Sequence, residues 1–440
     1  MDADISNFPR MRPTPPASRG TWDVDAVFLA RKGRGNSSLG LLDGDANGPR
    51  GDIFVGGKRT SKRTMDNILA AVPTCRLVLL SIRLPNSSSS AYSGVGCIAS
   101  ILLSELKSPK RKTTSKMGSI AAVKGKAYPP GIHVPSLTWF AGDANQEIDW
   151  DLQKKHIEFL ISSGLDGIVI AGTNGEAVTL SSAEKSQLLR TTREIAAQVG
   201  RPDITITLGT SGHCTRDVIA ETRLAKEAGA DFVLVLTPSY FHFAMTQDAI
   251  LAFFEELADV SPLPIVIYNF PGVVAGLDVN SEMLERLGQH PNIVGVKLTC
   301  GGIAKVARVT AQYKPEDFAA LAGQSDWLVP ALSVGSTGVI TGVANLYPKV
   351  CMQIYDLYKA GQVKDAEAAQ LKLAQMEWGF AKGGINGTKW VVAKIRGYPL
   401  ESCHCRRPYP TYSDESKQAW ILKTVEPLDA VEQGLGKRGV

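Results

Sequence analysis

Apolar residues follow two different patterns along this chain, and the change comes at Tyr128. From there on, short runs rich in Val, Ile and Leu alternate with longer stretches whose core-facing positions recur at helical spacing, as Leu152, His156, Phe159 and Leu160 do. The short runs are IHVPSLTW (132 to 139), GIVIAG (167 to 172), ITITLGT (204 to 210), FVLVLTP (232 to 238), PIVIYNF (264 to 270), IVGVKLT (293 to 299), FAALAG (318 to 323) and TGVITGVAN (337 to 345). Each is nearly continuous in apolar character, which predicts strands buried on both faces. Helix starts are legible between them: Ser181 with Glu184 makes a capping box, and Asn280 with Ser281 precedes EMLERLGQH. Eight such alternations within residues 128 to 346 predict a (β/α)8 TIM barrel of the α/β class rather than a doubly wound sheet, whose glycine-rich phosphate fingerprint is missing. Further helical segments near 348–360, 363–380 and 386–396 predict a C-terminal helical appendage over 347–400, and residues 401–440 read as an irregular tail.

Residues 1–127 show neither rhythm. Pro, Gly, Ser and charge dominate them (RPTPPASRG, RKGRGNSSLG, LPNSSSSAYSG, KSPKRKTTSK), with two short apolar runs, and the expectation is a disordered, basic, low-complexity extension. Met117, which opens MGSIAAVKGKAYPPG, reads as an alternative start of the protein.

Charge sharpens the division. Residues 1–127 carry 20 Lys and Arg against 9 Asp and Glu, while residues 128–440 carry 28 against 34. Basic clusters such as GGKRTSKR could meet phosphates, but GDIFVGGKRT lacks the spacing of a phosphate loop, and a nucleic-acid partner is not expected. Acids at Asp2, Asp4, Asp23 and Asp25 weigh against a mitochondrial presequence, so a cytoplasmic location is expected, with a mitochondrial one as the alternative. Seven cysteines without regular spacing outline no disulfide framework, and no run approaches the length needed to span a bilayer, so no membrane association is expected. His213, Cys214, Cys403, His404 and Cys405 are too cramped in sequence for a closed tetrahedral site, and no metal is expected.

Candidate chemistry comes from the strand ends, because barrels of this kind build their sites at the C-terminal ends of the strands. The second run ends in GTNGE (Thr173, Asn174, Glu176), the fourth in TPSYF (Tyr240), the fifth in YNFPG (Tyr268), and the sixth carries Lys297 and Thr299. Taken alone, Lys297 is equally compatible with a strand-end lysine whose ammonium reaches solvent. A lysine held by apolar walls, however, has its charged form disfavoured, and its free amine can attack a ketone to form a Schiff base. The resulting iminium is an electron sink that lets a nearby carbon–carbon bond break or form, provided another group moves the protons. Tyr268 is placed for that shuttle, with Thr173 and Tyr240 as a possible hydroxyl relay. The Gly-flanked GTNGE loop would point backbone N–H groups at a small carboxylate, with Glu176 tying the loop.

GTNGE, TPSY, YNFPG and GVKLT occur in the order and spacing of the dihydrodipicolinate synthase and N-acetylneuraminate lyase superfamily, which residues from about 129 to 398 resemble. The resemblance implies a class I pyruvate aldolase that needs no cofactor, with Lys297 forming the Schiff base and Tyr268 shuttling protons. It further implies that Thr173 and Tyr240 complete a relay, Tyr240 acting across the interface of a homo-oligomer, a dimer or tetramer. Thr173 and Asn174 would seat the pyruvate carboxylate, and Thr299 would touch substrate. Synthases of the lysine pathway usually carry an arginine where this chain has Val273, and GVKLTCGG with GGINGTKW looks closer to the fungal and other eukaryotic enzymes that cleave 4-hydroxy-2-oxoglutarate or 2-keto-3-deoxy sugar acids such as L-threo-3-deoxy-hexulosonate. The expected activity is therefore a carbon–carbon lyase releasing pyruvate and an aldehyde. The alternatives are 4-hydroxy-tetrahydrodipicolinate synthase, and a catalytically silent barrel with a binding or regulatory role.

Overall fold

The computed structural model describes residues 127–436 and the backbone of a short antiparallel hairpin, Ile53–Val55 paired with Lys58–Thr60, which belongs to a unit of its own. The other readings on residues 1–126 lie outside the described residues.

Eight parallel strands close into a barrel: β1 (Gly131–Pro135), β2 (Gly167–Ile170), β3 (Thr205–Thr210), β4 (Phe232–Leu236), β5 (Ile265–Asn269), β6 (Ile293–Leu298), β7 (Ala319–Ala322) and β8 (Gly338–Ile340), with β8 pairing back to β1. Every apolar run read from the sequence holds one strand. Residues of these strands are buried almost throughout because helices cover the outer face and side chains fill the interior. Tyr128 plugs the N-terminal end of the barrel, its hydroxyl 3.3 Å from Thr207 Oγ1 and 3.4 Å from His133 Nδ1.

Two of the helix starts are those the sequence predicts, at Ser181 and Asn280. Asp149 caps α1 (Trp150–Ser162), the Ser181–Glu184 capping box starts α2 (Ser182–Gln198), and Asn280 accepts from Met283 N at the start of a short helix, Ser281–Leu287. Each satisfies donors that the first turn of a helix would otherwise leave unpaired.

Beyond the barrel the chain runs through Pro348–Lys359 and then a long helical stretch, Val363–Arg396. Gly384 interrupts the latter at φ 61, ψ −161, a conformation open to glycine and not to residues with a Cβ, and splits it into two arms near the break expected from the sequence. The tail does not match its expectation. Residues 401–440, read as irregular, contain a helix at Glu415–Gly434 that is capped by Asp414 and buries Ile421, Val425 and Leu428. Pro427 lies inside it, and the apolar spacing that docks the helix on the preceding ones outweighs the hydrogen bond that proline cannot donate. Among the described residues no helix is long and apolar enough to cross a membrane.

Candidate active site

Lys297 faces the barrel interior because β6 contains a bulge. Ile265 pairs with Ile293, but the next residue, Val266, pairs with Gly295, leaving Val294 as the extra residue. In unbroken register Tyr268 would lie beside Val296, and Lys297 beside Asn269 on the opposite face; the slip instead sets Lys297 level with Tyr268 on one side and Leu321 on the other. Glycine at 295 permits this, since a Cβ there would stand 2.6 Å from the Ala319 carbonyl oxygen.

The two side chains meet. Lys297 is 3% exposed and its Nζ lies over the ring of Tyr268, 4.2 Å from the centroid. Tyr268 is 4% exposed, and its hydroxyl is 3.2 Å from Thr173 Oγ1. Either oxygen of that pair can be the donor, so a proton can pass between them in either direction.

Thr173 is delivered by a strained loop. Ala171 (φ 54) and Glu176 (φ 57) both adopt the left-handed conformation that costs non-glycine residues roughly 1–3 kcal/mol. Gly209 on β3 makes room for it, since a Cβ there would collide with the Ala171 carbonyl. The loop is then anchored from the far end of the chain. Glu176 Oε1 accepts from Lys389 Nζ at 2.8 Å and Oε2 from the backbone N–H of Arg406 at 2.9 Å, while Lys389 also donates to the His404 carbonyl at 2.8 Å. The Lys389 side chain is fully buried and Glu176 nearly so. Glu176 thus ties the loop, as its position in GTNGE suggested.

Thr173 and Tyr268 line a cavity of about 440 Å³; Lys297, in contact with the Tyr268 ring, does not itself line it. Val273 lines it as well, where the lysine-pathway pattern calls for an arginine. The other residues singled out by sequence lie elsewhere. Asn174 sits against Gly342 after β8, and Thr299, whose hydroxyl oxygen is buried without a hydrogen-bond partner, packs against Gly323 after β7. Tyr240 is 71% exposed, beside the exposed rings of Phe241 and Phe243, and does not line the cavity, so one chain assembles Lys297, Tyr268 and Thr173 without it.

Sequence reasoning did not single out Lys389, Asn386 or Tyr409, and weighed Cys405 only as a metal ligand, although Lys389 anchors the Thr173 loop and the other three line the cavity. Lys389 and Asn386 lie in GGINGTKW, noticed only as a point of resemblance. A lysine in a helix ordinarily reads as solvated, and nothing local reveals that its partner is Glu176, 213 positions away.

Comparison with known proteins identifies the family. Residues 130–425 match the dihydrodipicolinate synthetase family. An Emericella nidulans protein named "Probable 4-hydroxy-2-oxoglutarate aldolase, mitochondrial" is 40% identical over 290 residues, covering 66% of this chain and 92% of its own. The L-threo-3-deoxy-hexylosonate aldolase of Aspergillus niger is 34% identical over 329 residues, covering 70% and 97%. Among solved structures, a dihydrodipicolinate synthase family protein from Coccidioides immitis is 39% identical, with a TM-score of 0.64, covering 71% of this chain and 99% of that one. From Pro130 through Val425 the fold and these relatives converge, and the chain belongs to the dihydrodipicolinate synthetase family.

Proposed function

We propose that this protein is a Schiff-base aldolase that cleaves a 4-hydroxy-2-oxo acid to pyruvate and an aldehyde. The observation that carries the reading is the buried Lys297 amine stacked on Tyr268, whose hydroxyl is within hydrogen-bond reach of Thr173. Lys297 Nζ attacks the C2 carbonyl and, with loss of water, forms an iminium. Tyr268 takes the proton from the 4-hydroxyl, the C3–C4 bond breaks, its electron pair flows into the iminium to give an enamine, and the aldehyde leaves. The enamine is protonated at C3, and water hydrolyses the product iminium to free pyruvate and Lys297. The proton that Tyr268 takes from the 4-hydroxyl is the one returned to C3, with Thr173 hydrogen-bonded to the phenol oxygen.

The relatives named as aldolases at 34–41% identity support this reading over a synthase, and Val273 in the cavity wall agrees, since it offers no cation to the carboxylate of aspartate semialdehyde. The exposed Tyr240, Phe241 and Phe243 form an aromatic patch suited to burial against a second copy of this chain, which would bring Tyr240 to the neighbouring site. The two fungal relatives named as mitochondrial make that organelle the location we favour. Assaying pyruvate release from 4-hydroxy-2-oxo acids, beside condensation of pyruvate with aspartate semialdehyde, tests the reaction, and sedimentation in the same buffer tests the assembly. Cleavage by an oligomer is expected. Condensation without cleavage would overturn the lyase reading, and full activity in a monomer would overturn the role of Tyr240.

A further inference from the structure

The C-terminal segment that brings Cys405 and Tyr409 to the cavity wall also carries Arg406, a side chain the reaction as written leaves unused. Only 18% of that side chain is exposed, and its guanidinium fans out over three segments at the mouth of the barrel. Nη1 donates to the Thr179 carbonyl at 2.7 Å, Nη2 to Glu184 Oε1 at 2.6 Å, and Nε and Nη2 to the Gln146 carbonyl at 3.1 and 2.8 Å. The backbone N–H of the same residue donates to Glu176, and the guanidinium lies 4.4 Å from the centre of the Phe140 ring. Acceptors spread in this way call for the planar fork of an arginine and cannot all be reached by a single ammonium.

What Arg406 holds is strained. Of the four non-glycine residues at positive φ among the described residues, three lie in the two loops it clasps: Gln146 at φ 50, and Ala171 and Glu176 at 54 and 57 on either side of Thr173. Such conformations persist only where the surroundings over-determine them. From the clasp to the reacting groups the run of hydrogen bonds is unbroken. Thr179, whose carbonyl Arg406 holds, donates through its backbone N–H and its Oγ1 to the Glu176 carbonyl at 2.8 and 3.0 Å. Glu176 N–H donates to the Thr173 carbonyl at 3.0 Å, and Thr173 Oγ1 stands 3.2 Å from the Tyr268 hydroxyl. Arg406 does not itself line the cavity, so its reach to the chemistry runs through this loop.

We propose that Arg406 is a positioning residue of the reaction: by clasping the strained loop it keeps the Thr173 hydroxyl on the Tyr268 phenol oxygen. The proposal rests on the lyase reading above and names a residue that acts through Thr173. To take the proton of the 4-hydroxyl, Tyr268 must first carry its phenol oxygen as an anion, and a hydroxyl donor on that oxygen stabilises the anion. Without the clasp the loop relaxes towards unstrained backbone, Thr173 withdraws, and proton transfer slows. Lys297 is held by β6 rather than by the loop, so its attack on the 2-oxo carbon is spared.

The test is a double-mutant cycle on kcat for pyruvate release, run on whichever of 4-hydroxy-2-oxoglutarate and the L-threo-3-deoxy sugar acid the wild type cleaves faster. It compares wild type, Arg406→Ala, Thr173→Val and the double variant, each shown to be folded by thermal unfolding. Arg406→Ala lowers kcat by about 10- to 100-fold, the scale expected of a misplaced catalytic group. In the Thr173→Val background the same change has little further effect, and borohydride trapping of pyruvate on Lys297 in Arg406→Ala stays near the wild-type level. Where alanine does not give a folded protein, the cycle is run with Arg406→Lys, which keeps the charge and the stem; its kcat still falls by about threefold or more, because an ammonium cannot serve Thr179, Gln146 and Glu184 together. Unchanged kcat in a folded Arg406 variant, additive losses in the double variant, or loss of trapping in Arg406→Ala would overturn the proposal, while wild-type trapping leaves the lyase reading standing. Failure of the wild type to trap pyruvate on Lys297 would overturn the lyase reading and this proposal with it.

Discussion

Lys297 and Tyr268 owe their chemistry to a small displacement. One extra residue in β6 decides whether the lysine faces the barrel interior or the helices outside, and that bulge is invisible in the sequence, where IVGVKLT reads as an unbroken strand. The lysine stood out because an amine in an apolar run is expensive unless it has work to do. Tyr268 was legible for a related reason, as a polar group at the end of the neighbouring strand. Asn174 and Thr299 lie off the cavity wall, since a strand end fixes which mouth a residue belongs to, and loop conformation then decides where its side chain goes. Two substitutions separate the roles assigned to the pair. Lys297→Met should abolish cleavage, because no other amine occupies that position. Tyr268→Phe keeps the ring under the ammonium and removes the proton carrier, so kcat should fall by about 10²- to 10⁴-fold with a much smaller change in KM, measured by pyruvate release. A loss below tenfold in the phenylalanine variant would mean that Tyr268 does not move the proton.

Strands and helices of the barrel were readable because each apolar run is matched to a buried strand, and because the caps at Ser181 and Asn280 use side chains whose preference for helix starts is strong. The C-terminal elements were less so. The helix at Glu415–Gly434 falls in a stretch that reads as irregular, and the GGING stretch reads as a gap between helices although its kinked residues line the cavity. The main contribution of this region to the site is the buried pair of Lys389 and Glu176, joining the second arm of the long helix to the loop that carries Thr173. Removing one partner leaves an uncompensated buried charge, so Lys389→Met alone should cost about 3–5 kcal/mol of stability. The double variant Glu176→Gln with Lys389→Met removes both charges and should recover most of that loss in denaturant unfolding. If the pair positions Thr173, kcat of the refolded double variant stays depressed; wild-type turnover at restored stability would reduce the pair to a structural contact.

For the molecule as a whole, the pH dependence of stability is set in part by groups far from the reaction. Glu377, fully buried on the long C-terminal helix, accepts from Ser325 Oγ at 2.7 Å, and burial, with Asp326 nearby, pushes its carboxyl from the ordinary 4.5 up to about 8. The folded protein therefore holds this proton up to about pH 8, whereas the unfolded chain releases it near 4.5, so stability falls as pH rises through that window by about 1.4 kcal/mol per unit. His156 acts in the opposite sense at lower pH. Burial holds it neutral in the fold down to about 3, so the unfolded chain gains the proton first as pH drops below 6.5. Between pH 6.5 and 8 the Glu377 effect stands clear of His156, and wild type should lose about 2 kcal/mol relative to Glu377→Gln, read from urea unfolding at several pH values. Parallel curves for the two proteins would show that Glu377 is ionised in the fold.

These features surround one chemical claim, that Lys297 forms a covalent iminium with a 2-oxo acid. Mass spectrometry of the protein reduced with borohydride in the presence of pyruvate, followed by peptide mapping, tests it most directly. The account predicts a single reduced pyruvate adduct on the peptide containing Lys297. A folded protein that takes up no adduct, or takes it up on another lysine, would contradict it.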